Sequence, residues 1–212
     1  MLRRGLEAIK TRVQMWLLPW GPAWQNIGKK TGARFVPGRF WRAARLELDW
    51  QDWKIVLTNQ PIQCRYWALA SVDFQATREI TLTIAPANLT RQVFAAVGAA
   101  RIHTGNDVFD AAFIVQGQPE DNVQFLLSDQ RLISLINAIP EVKWTIRNKP
   151  IHKSGRLTSR ISSDVFTLAG ESQDHILDAE QLLDMIEVAK RILQILSEIG
   201  LARPCRADKA PS

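Results

Sequence analysis

The sequence predicts an α+β fold, a mostly antiparallel sheet packed against a long C-terminal helix and shorter helices. Three observations carry that expectation. Short stretches with a two-residue apolar period recur along the chain, as in Leu46, Leu48 and Trp50, and that period lines one face of a strand. A two-residue reversal, Gln51-Asp52, separates two such stretches and fits a hairpin. Asp178 to Ile199 repeats Leu182, Leu183, Met185, Ile186, Ala189, Ile192, Leu193 and Leu196 at helical spacing. A helix so apolar has to be buried on a sheet or against another chain.

Taken in order, residues 2–18 read as one amphipathic helix. Leu2, Leu6, Ile9, Val13, Trp16 and Leu17 fall on one side, and Arg3, Arg4, Glu7, Lys10 and Gln14 elsewhere. Pro19 stops it and Pro22 opposes an early restart. Residues 25–40 read as a basic connector punctuated by Gly28, Gly32, Pro37 and Gly38. Strands follow at Ala44–Trp50, Trp53–Leu57, Arg65–Phe74 and Glu79–Ile84, with Trp50 and Trp53 near the first hairpin's tip. That pair either staples the strands across the ladder or stands exposed for binding. Asn88-Leu89-Thr90 opens a short helix carrying Val93, Phe94 and Val97.

The stretch from Ala99 to Ile139 organises the middle of the chain. A strand ends near His103-Thr104, and Gly105-Asn106-Asp107 supplies turn chemistry. Val108 to Val115 places Phe109, Phe113 and Val115 at odd positions, which reads as another strand. Pro119-Glu120-Asp121 opens one or two helices through Ile136, with proline and carboxylates suited to a first turn. Val142, Trp144 and Ile146 alternate as a strand, a basic loop or hairpin tip follows, and Asp164–Ala169 reads as the last strand. Asp178 with Gln181 fits a capping box, and Gly200 a stop. The domain plan is therefore a basic helix and connector over 1–39, one α+β domain over 40–202, and a flexible polar tail over 203–212.

Charge is divided unevenly. Residues 1–45 hold ten basic residues against Glu7 alone, a net of +9, whereas the remainder holds 17 basic and 20 acidic residues, a net of −3. The formal +6 thus belongs to the N-terminal segment. Such asymmetry points to an anionic surface, phospholipid or nucleic acid. Tryptophan with arginine on an amphipathic helix is also the composition of a segment lying in a membrane interface. The contact residues on this reading are Arg3, Arg4, Ile9, Arg12, Val13, Trp16, Leu17, Trp20 and Trp24. The plainer alternative packs the same helix on the domain's own sheet. A second basic patch comprises Lys143, Arg147, Lys149, Lys153, Arg156 and Arg160. No run of about 18 apolar residues suggests a spanning helix, and the N-terminus lacks the apolar core of a secretory signal. Two distant cysteines, Cys64 and Cys205, form neither a zinc quartet nor a disulfide framework, which favours a reducing compartment.

Chemistry-bearing constellations are sparse. His103, His152 and His175 stand apart from one another, without ligands at metal spacing. Gly28-Lys29-Lys30-Thr31 lacks the earlier glycine of a phosphate loop, and no helix is expected after it. Asp107 and Asp110 lie near His103 in sequence and make a carboxylate–imidazole site conceivable. The simpler reading has Asp107 shaping the turn and Asp110 facing solvent. The expectation is a non-catalytic protein without cofactor or metal.

Thr104, Gly105, Asn106, Phe109, Asp110, Phe113 and Val115, followed by Leu126-Leu127, resemble the Thr-Gly-(Asn/Asp)-x-x-Phe-Asp-x-x-Phe-x-Val motif of an uncharacterised bacterial domain family. The Gly38-Arg39 entry to the first hairpin is similar, and the resemblance extends loosely over residues 30–200. It implies a bacterial, cytosol-facing protein and carries no activity or catalytic residue. Together these readings describe an interaction or scaffold domain in the cytoplasm, peripheral to the inner membrane. Its partner would be an anionic membrane surface or a protein. The competing reading is nucleic-acid binding through the basic segments 29–45 and 143–160.

Overall fold

A computed structural model describes residues 21–36, 44–62, 65–89, 101–150, 161–172 and 178–205. The amphipathic helix read over 2–18, most of the helix read from Asn88, and the basic hairpin tip lie outside these residues. Among them are nine strands, all paired antiparallel. They are β1 (Arg34–Val36), β2 (Arg45–Trp50), β3 (Trp53–Ile62), β4 (Arg65–Ala76), β5 (Thr81–Pro86), β6 (Phe113–Gln118), β7 (Val142–Pro150), β8 (Ile161–Ser172) and β9 (Ala202–Pro204). The sheet order is β1-β2-β3-β4-β8-β7-β5-β6, and β9 adds to β4. Five α-helices accompany them: α1 (Gly21–Thr31), α2 (Asp107–Ala112), α3 (Glu120–Leu127), α4 (Gln130–Ala138) and α5 (Ala179–Glu198).

The two-residue period sets the faces of the sheet. Leu46, Ile55, Leu57, Ala70, Val72, Phe74, Phe166, Leu168, Trp144, Ile146, Leu82 and Ile84 point one way and are buried. On that face lies α5, which buries Met185, Ile186, Ala189, Ile192, Leu193 and Leu196 and packs on β4, β8 and β9, with α1, α3 and α4 beside it. Asp178 caps α5 as expected, accepting from the main-chain N–H groups of Glu180 and Gln181 while Gln181 returns the contact to Asp178 N. Asp129 has a double duty: it caps α4 through Leu132 N at 2.7 Å and pairs with Arg191 on α5. Where Trp144 crosses β8, a Cβ on Gly170 would stand 2.5 Å from the indole, so only glycine leaves room for the ring.

The first hairpin matches its reading, with Gln51-Asp52 as the turn and Trp50 directly opposite Trp53. Trp53 is buried in the core, and Trp50, half-buried, has the Lys190 ammonium 5.9 Å from its ring centroid. Four local readings are corrected. The connector is a helix followed by a strand: Pro22 falls in the first turn of α1, where a missing N–H costs nothing, and Gly28-Lys29-Lys30-Thr31 forms its last turn. Trp24 and Ile27 of α1 join the core, so residues 21–36 pack with the domain that was expected to begin at residue 40. Of the strand read over Val108–Val115, residues 108–112 belong instead to the helix α2, with Asn106 as its cap, and only Phe113–Val115 are strand. Arg203 and Pro204, at the start of the expected loose tail, pair with Gln75 and Phe74, continuing from Ala202 with Ala76.

Candidate functional site

The Thr104–Val115 segment folds into a tie. Asn106 Oδ1 accepts from Phe109 N and starts α2. Asp110, one turn later, turns back and accepts from both the main-chain N and the hydroxyl of Thr104, at 3.1 and 3.0 Å. Arg101 donates to the carbonyls of Asp110 and Phe113. Phe109 and Phe113, four residues apart, stack at 4.8 Å and bury completely. Asp110 therefore does not face solvent as read: its side chain is only 13% exposed. His103 Nδ1 lies 3.8 Å from Asp110 Oδ2 on an exposed ring. The sequence did bring these groups together, but Asp110 is occupied by Thr104, and the motif's polar residues serve the turn.

A second polar cluster surrounds Glu47 on the sheet's other face. Arg34 and Arg45 donate to its two oxygens at 2.6 and 2.7 Å, and Lys54 stands 3.8 Å away. Glu47 is 8% exposed, and its carboxyl is held below the ordinary range, first by the bond from Arg34 and then by that from Arg45. Two of the ten basic residues behind the +9 segment thus have an internal partner.

A cavity opens on that same face, where the sheet forks. Facing β3, β4 is paired only from Ser71 (opposite Val56) to Arg65, and β9 takes over at Phe74–Ala76. Between the departing start of β3 and β9 lies a cleft of about 1190 Å³. Its lining includes Asp49, Asp52, Trp53, Lys54, Ser71, Asp73, Gln75, Arg203 and Cys205. Asp73 accepts from Thr167 Oγ1 at 2.7 Å. Gln51, at the rim, has φ +52°, a left-handed backbone that costs a non-glycine residue about 1 kcal/mol. Cys205, expected in a loose tail, and Arg203 thus belong to the wall of the cleft. The only local signal is the apolar pair Leu201-Ala202 after the Gly200 stop, both buried.

The expected contact residues fare differently. Trp24 does not reach a partner surface: it is 3% exposed and meets Phe35 edge-on at 6.2 Å. Arg3, Arg4, Ile9, Arg12, Val13, Trp16, Leu17 and Trp20 lie outside the described residues. Of the second basic patch, Lys143 stands opposite Glu171 of β8 and Arg147 opposite Thr167, with the Arg147 guanidinium 3.9 Å from the Glu171 carboxylate. Lys149 belongs to β7, and Lys153, Arg156 and Arg160 lie outside the description. No grouping of histidine, cysteine and carboxylates able to hold a metal, and no helix long and apolar enough to cross a membrane, occurs among the described residues.

No family model matches the chain, and no curated protein matches it in sequence. Among solved structures, the crystal structure of the mycobacterial trehalose monomycolate transport factor A aligns with it at a TM-score of 0.49 and 7% identity. That alignment covers 81% of this chain and 91% of the other.

Proposed function

We propose that the protein is a non-catalytic interaction domain held at the inner face of a bacterial membrane by its basic, tryptophan-bearing N-terminal segment. The observation that carries the reading is the charge split, +9 over residues 1–45 against −3 over the rest. Arg34 and Arg45 are spent on Glu47, which leaves the surplus concentrated ahead of the sheet. The burial of Trp24 narrows the contact to the residues before Gly21, chiefly Arg3, Arg4, Arg12, Trp16 and Trp20. They precede α1 in the chain, and α1 itself packs on α5 and β2. Nucleic-acid binding by 29–45 and 143–160 is less favoured, because Glu47 and Glu171 neutralise part of each basic segment.

Co-sedimentation with vesicles containing phosphatidylglycerol tests the proposal. Binding is expected to anionic vesicles and to be lost on deletion of residues 1–20. Replacing Arg3, Arg4 or Arg12 with glutamine should weaken it about fivefold each, the weight of one basic residue near a charged bilayer. Undiminished binding after the deletion, or equal binding to neutral vesicles, would refute the tether. A salt-sensitive gel shift retained by the deletion variant would favour the competing reading.

A further inference from the structure

The fork in the sheet leaves a main-chain position without its expected neighbour. Thr77 N donates to Leu201 O at 3.0 Å. Main-chain groups alternate sides along an antiparallel strand, so the odd residues of β4 turn theirs toward β3 and β9. Two distant observations fit the same alternation: the Trp50–Trp53 pair closes a two-residue turn, and Ile102 N donates to Val115 O across the far edge. Ser71 and Val56 are therefore a hydrogen-bonded pair, and the next would be Asp73 with Lys54. The ladder stops one step short of it. By the same alternation Lys54 aims its N–H and C=O toward that side of β3, beyond the last paired residues, while β9 takes the same edge of β4 further on.

The walls of the cleft carry opposite charge. Asp52 stands at the turn beside Lys54, whose ammonium leans toward Glu47 and Asp49 at 3.8 and 3.9 Å. Arg203, exposed on β9, faces it from the other wall. The space, about 1190 Å³, exceeds the roughly 300–1,000 Å³ of small-molecule pockets. Unpaired main-chain groups at a strand edge attract another extended chain, with side-chain chemistry setting selectivity.

We infer that this cleft takes a short extended peptide segment of a partner protein, which pairs with the main chain of Lys54 and presents one basic and one acidic side chain to Asp52 and Arg203. The inference concerns a site separate from the proposed tether and holds or fails without a membrane. The experiment titrates the full chain, in solution, with the capped peptide Ac-Val-Lys-Val-Glu-Val-Thr-NH2, reading amide hydrogen exchange and chemical shifts by NMR. Saturable binding with slowed exchange at Lys54 N–H is expected. Proline in place of the central valine should abolish it. Asp52→Lys should weaken binding at least tenfold, and exchanging the peptide's Lys for Glu should restore affinity for that variant. Arg203→Glu should mirror this, with Lys for Glu as the restoring change. No saturable binding, or binding indifferent to both charge reversals, overturns the proposal. Slow exchange at Lys54 without peptide also overturns it: if dilution relieves it, a second copy occupies the cleft, and if removal of residues 206–212 relieves it, the chain's own end does.

Discussion

Glu47 and Asp184 respond to pH in opposite senses. The Arg34 and Arg45 bonds lower the Glu47 pKa from its ordinary 4.5. The pair thus stabilises the fold above that value and loses its contribution as pH falls through the lowered folded-state value. Glu47→Gln is expected to cost about 1–3 kcal/mol at pH 7, because three cations lose a buried acceptor charge. The difference from wild type should shrink in urea titrations carried below pH 4. Asp184, by contrast, is pushed up from 3.8 by burial and then by Glu180, Asp178 and Glu187. Its ionisation opposes folding, so the stability present below pH 3.8 declines as pH rises through the raised folded-state value. Asp184→Asn should raise the melting temperature at pH 7 by roughly 1–2 °C, and the gain should vanish in acid. At Gly170 the issue is space alone: alanine would meet the Trp144 ring at 2.5 Å. Overpacking of that kind costs about 1–3 kcal/mol, readable as a lowered urea midpoint with an unchanged slope.

Among the elements, α5 and the first hairpin were legible because local and global signals agree there. The capping box, the apolar period and the Gly200 stop all mark the same helix, and Gln51-Asp52 separates two in-phase alternations. Asp178→Ala should cost about 1 kcal/mol and speed exchange in the first turn of α5 while its middle stays protected. The segment at 108–112 misled because Phe109 and Phe113 are four apart, a spacing even for a strand and close to one turn for a helix. Asn106 and the acids at the start of α2 were the deciding signs, since they supply a cap and suit the dipole. In α1, Pro22 was weighed as a breaker although the first turn tolerates it. The fork beside Lys54 had no sequence signature, since partner exchange along a strand is set by the register of distant segments. Asp110→Ala should release Thr104 and cost about 1–2 kcal/mol; equal stability of the variant would remove the tie from the account.

For the whole molecule, the sheet order is what sequence could not supply: periodicity gives faces, not neighbours. The face opposite α5 carries the Glu47 cluster, Lys143, Arg147 and the cleft, while the proposed membrane-binding segment enters through α1 on the helical side. Removing residues 1–20 is therefore expected to leave thermal stability of the sheet within about 1 kcal/mol, checked by calorimetry alongside vesicle binding. The central seam joins β4 to β8, whose facing residues run from Gln75 with Val165 to Ala68 with Ser172. Of the first four strands, β4 alone waits for a neighbour encoded about a hundred residues downstream, so a nascent chain still on the ribosome exposes the unpaired flank of β4 until β8 emerges. Termination between β4 and β8 would release a chain with an adhesive edge instead of a smaller working protein, and such fragments should partition into inclusion bodies or onto chaperones.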